Sequence, residues 1–165
     1  MPITPAVYPL SKAILWLFFR LGYGLEVSGA EHVPKRGGVL VACNHLSYLD
    51  PPLLAVACPR RLSFMARADL FGHWLLGTYL RAVGVLPLQR GESDVVALRG
   101  AVDRLRRGEA IAIFPEGGRQ FSGVVGAARR GVGLLSATAC VPIVPAVVHG
   151  TFQALTPGTH RLHRS

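Results

Sequence analysis

The chain has 165 residues, 50% of them hydrophobic, with a formal net charge of +9 carried almost wholly by arginine. That length suits one domain with a sizeable core, and the sequence holds no long linker, low-complexity tract or repeat. Three cysteines without CxxC-type spacing exclude a disulfide framework or a zinc ribbon and favour a reducing cytoplasmic setting, while the charge asks for an anionic partner and the mean hydropathy of +0.37 favours lipid over nucleic acid.

Residues 6–21 are the one candidate membrane segment. Lys12 and Arg20 interrupt it and no small-residue cleavage site follows, so it does not read as a signal peptide. Leu10, Ile14, Leu17, Phe18 and Leu21 recur at helical spacing, Trp16 and Phe19 widen the apolar face, and Gly22 is the expected stop. Two readings of residues 1–23 stand side by side: a helix lying in a membrane interface, or one packed on the core. Residues 24–165 form the remaining domain.

After that helix, apolar runs at 25–27, 39–43, 62–65, 83–88, 110–114 and 143–148 read as strands, and 51–57, 69–82, 93–107 and 130–139 as helices. The alternation predicts an α/β fold with a mainly parallel or mixed central sheet covered by helices. Ligands of such sheets gather at the carboxyl ends of the strands, and three polar clusters sit there.

The first cluster is Asn44, His45 and Asp50. Asp50 precedes Pro51 and Pro52, which suits a helix start, so it is expected to cap the helix at 51–57. Its second oxygen can hold one nitrogen of His45 and leave the other free as a general base. The plainer reading is a cap and a surface histidine. Gln89-Arg90-Gly91 and Glu116-Gly117-Gly118-Arg119 follow the runs at 83–88 and 110–114. The glycines allow close backbone approach, and Arg90 and Arg119 offer forked, permanently charged donors to a phosphate. Against this, Arg90 reads equally as a solvated surface residue, and Glu116 with Arg119 as an ion pair closing a loop. Cys43 or Ser47 as a covalent nucleophile beside His45 is a further alternative, although Cys43 reads more simply as the small apolar end of a buried strand. The apolar face from Leu70 to Leu80 is read as helix packing on the sheet, or else as the wall of an acyl-chain groove or a second membrane contact. His160 and His163 lie in a basic tail and read as solvated rather than as a metal pair.

Taken in order, the blocks resemble the 1-acyl-sn-glycerol-3-phosphate acyltransferases, the lysophospholipid acyltransferases of glycerolipid synthesis. Asn44-His45-Leu46-Ser47-Tyr48-Leu49-Asp50 is similar to the family's NHxxxxD block, Gly84 to Arg90 to its second block, Phe114-Pro115-Glu116-Gly117-Gly118-Arg119 to its FPEGTR block, and Val141 to Ala146 to its fourth. The resemblance implies that His45 deprotonates a lysophospholipid hydroxyl, most directly that of 1-acylglycerol-3-phosphate, while Asp50 orients the imidazole and phosphatidate is formed. It assigns Asn44, Arg90, Glu116, Gly117 and Arg119 to substrate binding, and links the block holding Pro145 to the acyl donor or the shape of the site. Acyl-CoA or acyl carrier protein serves as donor substrate, and neither cofactor nor metal is implied. The expected setting is peripheral, on the cytoplasmic face of the cell membrane at an anionic surface, with no nucleic acid. Departures are Gly118 for the usual Thr, Gln120 for Ser, and Ala127-Ala128-Arg129-Arg130-Gly131 for a Phe-Lys-x-Gly segment, where Arg129 or Arg130 takes over the cation. The chain stops soon after its fourth block, which leaves a C-terminally truncated domain as an open reading. A non-catalytic binder of anionic membrane or nucleic acid explains the charge but not the blocks.

Overall fold

The computed structural model describes residues 6–88, 94–156 and 162–163. Its centre is β1, Val39–Cys43, buried at every position but Ala42. Side chains alternate across a strand, so Val39, Val41 and Cys43 pack on one face with Leu54, Cys58 and Leu62, while Leu40 packs on the other with Ile111, Ala101, Leu105 and Leu135. Complete burial of Leu40 and Ile111 stabilises the fold by about 1.5–3 kcal/mol each.

The sheet has the order β2-β5-β1-β6, with β2 at Leu62–Ser63, β5 at Ala110–Ile113 and β6 at Ile143–Ala146. All three pairings are parallel, with Val39 opposite Ala110 and Leu40 opposite Ile143. A two-stranded parallel sheet pairs β3, Met65–Arg67, with β4, Leu86–Leu88. Helices α4 (Asp94–Arg106) and α5 (Gly131–Ala139) pack on the face of Leu40 and Ile111; α2, Asp50–Ala57, covers the other face. Remaining helices are α1 (Val7–Tyr23), α3 (Trp74–Val83) and the single turn α6 (Thr151–Ala154). The expected parallel sheet under helical cover is what forms.

Helix α1 rests on α2 and α3. Phe19 is buried, the Tyr8 hydroxyl accepts the N–H of Leu62 at 2.9 Å, and the Lys12 ammonium donates to the Cys58 carbonyl. Burial drives the Tyr8 hydroxyl above its ordinary pKa and the Lys12 ammonium below. The opposite side of α1 leaves Leu10, Ile14, Leu17 and Leu21 more than half exposed. Among the described residues no helix is long and apolar enough to cross a membrane.

Several expected boundaries are corrected. Gly22 stays helical, and α1 ends at Gly24, whose φ of 62° lets the Leu25 N–H reach back to the Phe19 carbonyl at 3.2 Å. Residues 25–27 then form no strand. The run at 83–88 divides because Val83 closes α3, and only 86–88 is extended. The helix expected at 69–82 is a 3-10 turn over Ala68–Gly72 followed by α3, since His73 between them is extended.

Candidate functional site

Strands β1 and β5 are neighbours running the same way, so the segments that leave their carboxyl ends meet. The first carries Asn44, His45 and Asp50; the second carries Phe114, Glu116, Gly117 and Arg119. The structure brings these together. Arg90 lies outside the described residues.

His45 Nδ1 is 3.0 Å from Asp50 Oδ2, and the imidazole stacks on Phe114 with centroids 4.1 Å apart and planes 22° from parallel. Asp50 is fully buried. It was expected to cap its own helix, and it does not: neither oxygen caps α2, and no side chain caps that helix start. Instead Oδ2 accepts the N–H groups of Leu46 at 2.6 Å and Ser47 at 2.7 Å, and Oδ1 accepts the Thr151 hydroxyl at 2.5 Å. The carboxylate has turned back over the 45–49 turn, whose amides would otherwise be unpaired donors in a buried place. A carboxylate so surrounded accepts only, so the proton of the 3.0 Å contact sits on Nδ1 and Nε2 keeps its lone pair. The histidine side chain is 16% exposed, enough to meet a solute from one side.

Asn44 and Glu116 face inward. The Asn44 amide donates to the Val148 carbonyl at 2.9 Å and accepts its N–H at 2.8 Å, tying the end of β1 to the chain after β6. Glu116 Oε2 accepts the His45 N–H at 3.1 Å, and Oε1 accepts that of Gly126 at 3.2 Å. The ion pair between Glu116 and Arg119 that the sequence allowed is absent among the described residues. Both side chains act on backbone that holds His45, and this geometry supports positioning rather than substrate contact.

Gly117 has φ +74°, and a Cβ there would meet Arg129 Nε at 2.6 Å, so the turn is open to glycine because the Arg129 guanidinium lies against it. The Arg119 guanidinium stacks 3.5 Å over the Tyr48 ring and 5.5 Å from that of Phe121. Its Nη1 is buried with no hydrogen-bond partner among the described residues. Such a donor costs about 1–3 kcal/mol until an acceptor meets it.

Neither alternative nucleophile is poised. Burial, with the nearby charges of Asp50 and Glu116, pushes the Cys43 thiol up to about 12, and Ser47, fully buried, gives its hydroxyl proton to the Leu155 carbonyl at 2.8 Å. A groove of about 980 Å³ lies between α1, α2 and β6, lined by Phe19, Leu53, Leu54, Val144 and Ala146 among others; His45, Glu116 and Arg119 do not line it. His45, Glu116 and Arg119 are grouped instead on the segments that leave the carboxyl ends of β1 and β5.

Sequence reasoning missed Thr151, which is 101 residues from the carboxylate it serves, and Phe114 as the platform for the imidazole. The β5 run pointed to the position of Phe114; no local signal marked Thr151.

A family model described as Acyltransferase matches residues 24–149. The chain is 27% identical over 145 residues to the 1-acyl-sn-glycerol-3-phosphate acyltransferase of Bacillus subtilis (strain 168), covering 87% of this chain and 72% of that one. It is 30% identical over 144 residues to the protein of that name from Streptococcus pneumoniae (strain R6), covering 86% of this chain and 53% of the relative. The crystal structure of the 1-acyl-sn-glycerophosphate acyltransferase PlsC from Thermotoga maritima superposes with a TM-score of 0.76 at 26% identity, over 96% of this chain and 62% of that one. This chain thus spans between about half and three quarters of these proteins.

Proposed function

Because this chain belongs to the Acyltransferase family, we propose that it transfers a fatty acyl group from acyl-CoA or acyl carrier protein to the free hydroxyl of a lysophospholipid, most directly 1-acylglycerol-3-phosphate, giving phosphatidate. The observation that carries the reading is the His45–Asp50 contact at 3.0 Å, joined by a buried Arg119 nitrogen that has no partner among the described residues.

His45 Nε2 takes the proton of the acceptor hydroxyl as its oxygen attacks the thioester carbonyl. The tetrahedral intermediate collapses, the carbon–sulfur bond breaks, and the imidazolium returns the proton to the departing thiolate. Asp50 stabilises the imidazolium between the two transfers. General-base assistance of this kind contributes ~10²–10⁴ in rate. The acceptor is itself the nucleophile, so no acyl-enzyme is required, in keeping with the buried, occupied Ser47 and the Cys43 thiol pushed up to about 12. Arg119 Nη1 supplies a charged donor for the glycerol phosphate, and Arg129, against Gly117, adds a second positive charge. Glu116 ties its turn to the backbone of His45, and Asn44 fixes the end of β1 against Val148.

A peripheral position on the cytoplasmic membrane face suits the exposed apolar side of α1 and the start of α3, where Trp74 and Leu75 are 78% and 65% exposed. The reading is tested by offering labelled acyl-CoA and acyl carrier protein donors with lysophosphatidate and other lysolipids. Acyl transfer to lysophosphatidate ahead of the other acceptors supports it. Inactivity with every pair, alongside retained binding to anionic membranes, favours a non-catalytic binder.

A further inference from the structure

The loop between β5 and α5 is closed at its neck and apolar at its tip. Glu116 Oε1 accepts the Gly126 N–H at 3.2 Å, Arg129 N–H donates to the Pro115 carbonyl at 2.8 Å, and Gln120 N–H donates to the His45 carbonyl at 2.9 Å. The ring of Phe152 lies beneath Gly123, close enough that a Cβ there would meet it at 3.0 Å. A loop pinned at so many points has a defined shape, yet it points its largest apolar groups outward. Phe121 is 68% exposed, Val124 67% and Val125 57%. A mere connection would carry polar residues at those positions.

Charge says what the tip is for. Residues 117–130 contain Arg119, Arg129 and Arg130 and no acidic side chain. Arg129 and Arg130 are exposed at the base of the loop. Apolar groups at the tip with guanidinium groups behind them match the layering of a leaflet, hydrocarbon inside and anionic phosphates outside. Trp74 and Leu75, which open α3 after the 3-10 turn over Ala68–Gly72, form a second exposed apolar projection.

We propose that residues 121–125 form a lipid-inserting finger that seats the mouth of the His45 site on an anionic leaflet. This rests on reading that site as one that takes a lysolipid from a membrane, but binding is measured without turnover, so the two can fail separately. The test compares the full chain with the Val124→Ser/Val125→Ser double variant in sedimentation with vesicles of phosphatidylcholine, with and without phosphatidylglycerol. The native chain binds the anionic vesicles, and the double variant partitions ~10-fold less, since the valines exchange apolar for polar surface. In a Val124→Cys, Cys140→Ser protein, an environment-sensitive dye at position 124 shifts to shorter emission wavelength when vesicles are added. Equal partitioning of native and variant chains, or a dye that stays in water while the protein is vesicle-bound, overturns the proposal. So does loss of binding to acyl carrier protein with vesicle binding unchanged, which assigns the loop to a protein partner. Finger-dependent vesicle binding by a chain that transfers no acyl group upholds the proposal and overturns the lysolipid reading.

Discussion

The two sides of the candidate site are built in opposite ways. Around Asp50 the polar groups are satisfied: Oδ2 takes His45 Nδ1 and two backbone amides, and Oδ1 takes the Thr151 hydroxyl. Around Arg119 one guanidinium nitrogen is buried without an acceptor among the described residues, and the charge is steadied by the Tyr48 ring instead. A saturated carboxylate fixes the base before any substrate arrives, which removes reorganisation from the chemical step. An unsatisfied donor does the reverse: it costs free energy that an acceptor reaching it recovers. On the proposed function, the first side governs turnover and the second governs affinity for the phosphate.

Substitutions on each side should separate these effects. His45→Ala removes the base, and kcat falls ~10³–10⁴-fold with little change in KM for the acceptor, read from initial rates. Asp50→Asn keeps the shape but replaces an all-acceptor group, so kcat drops ~10²–10³-fold and the protein melts at lower temperature because buried amides lose their partner. On the other side, Arg119→Ala raises KM for lysophosphatidate ~10–100-fold while kcat at saturation changes far less. Its melting temperature holds within about 3 °C, as the lost ring contact is offset by removal of the orphaned donor. Thr151→Val leaves Asp50 Oδ1 without its donor and lowers kcat ~3–10-fold. The smallest effect belongs to Cys43→Ala, with kcat within about twofold, because a thiol pushed up to about 12 takes no part. Mass spectrometry after iodoacetamide treatment of the folded native chain should find exposed Cys140 modified and buried Cys43 intact. A kcat loss at Arg119 as deep as that at His45 would break the division of labour.

How far the sequence exposed this arrangement depends on how local each bond is. The strand at 39–43 was legible because an unbroken apolar run that stops at polar Asn44-His45 is too short for a buried helix and the right length for a buried strand. The His45–Asp50 contact was also legible, since both ends lie in one short turn. The Asp50 cap was misread because the pattern of Asp before two prolines describes only the helix that follows; the winning donors, Leu46 and Ser47, precede it. Thr151 was out of reach, its bond crossing 101 residues and depending on the path after β6. The run at 83–88 failed for another reason: Val83 and Val85 are apolar in a helix end as in a strand, and only the turn at Gly84 separates the two. Glu116 was identified but its partner was not, because spacing favours Arg119 and the fold presents the amides of His45 and Gly126.

The rate of phosphatidate formation from lysophosphatidate in the native chain, in His45→Ala, and in His45→Ala supplied with free imidazole tests the central claim most directly. The account predicts that kcat falls ~10³–10⁴-fold in the variant and that added imidazole, a small base that fits the space the side chain leaves, restores part of the loss. A variant that keeps the native rate, or a loss that imidazole leaves untouched, would contradict it.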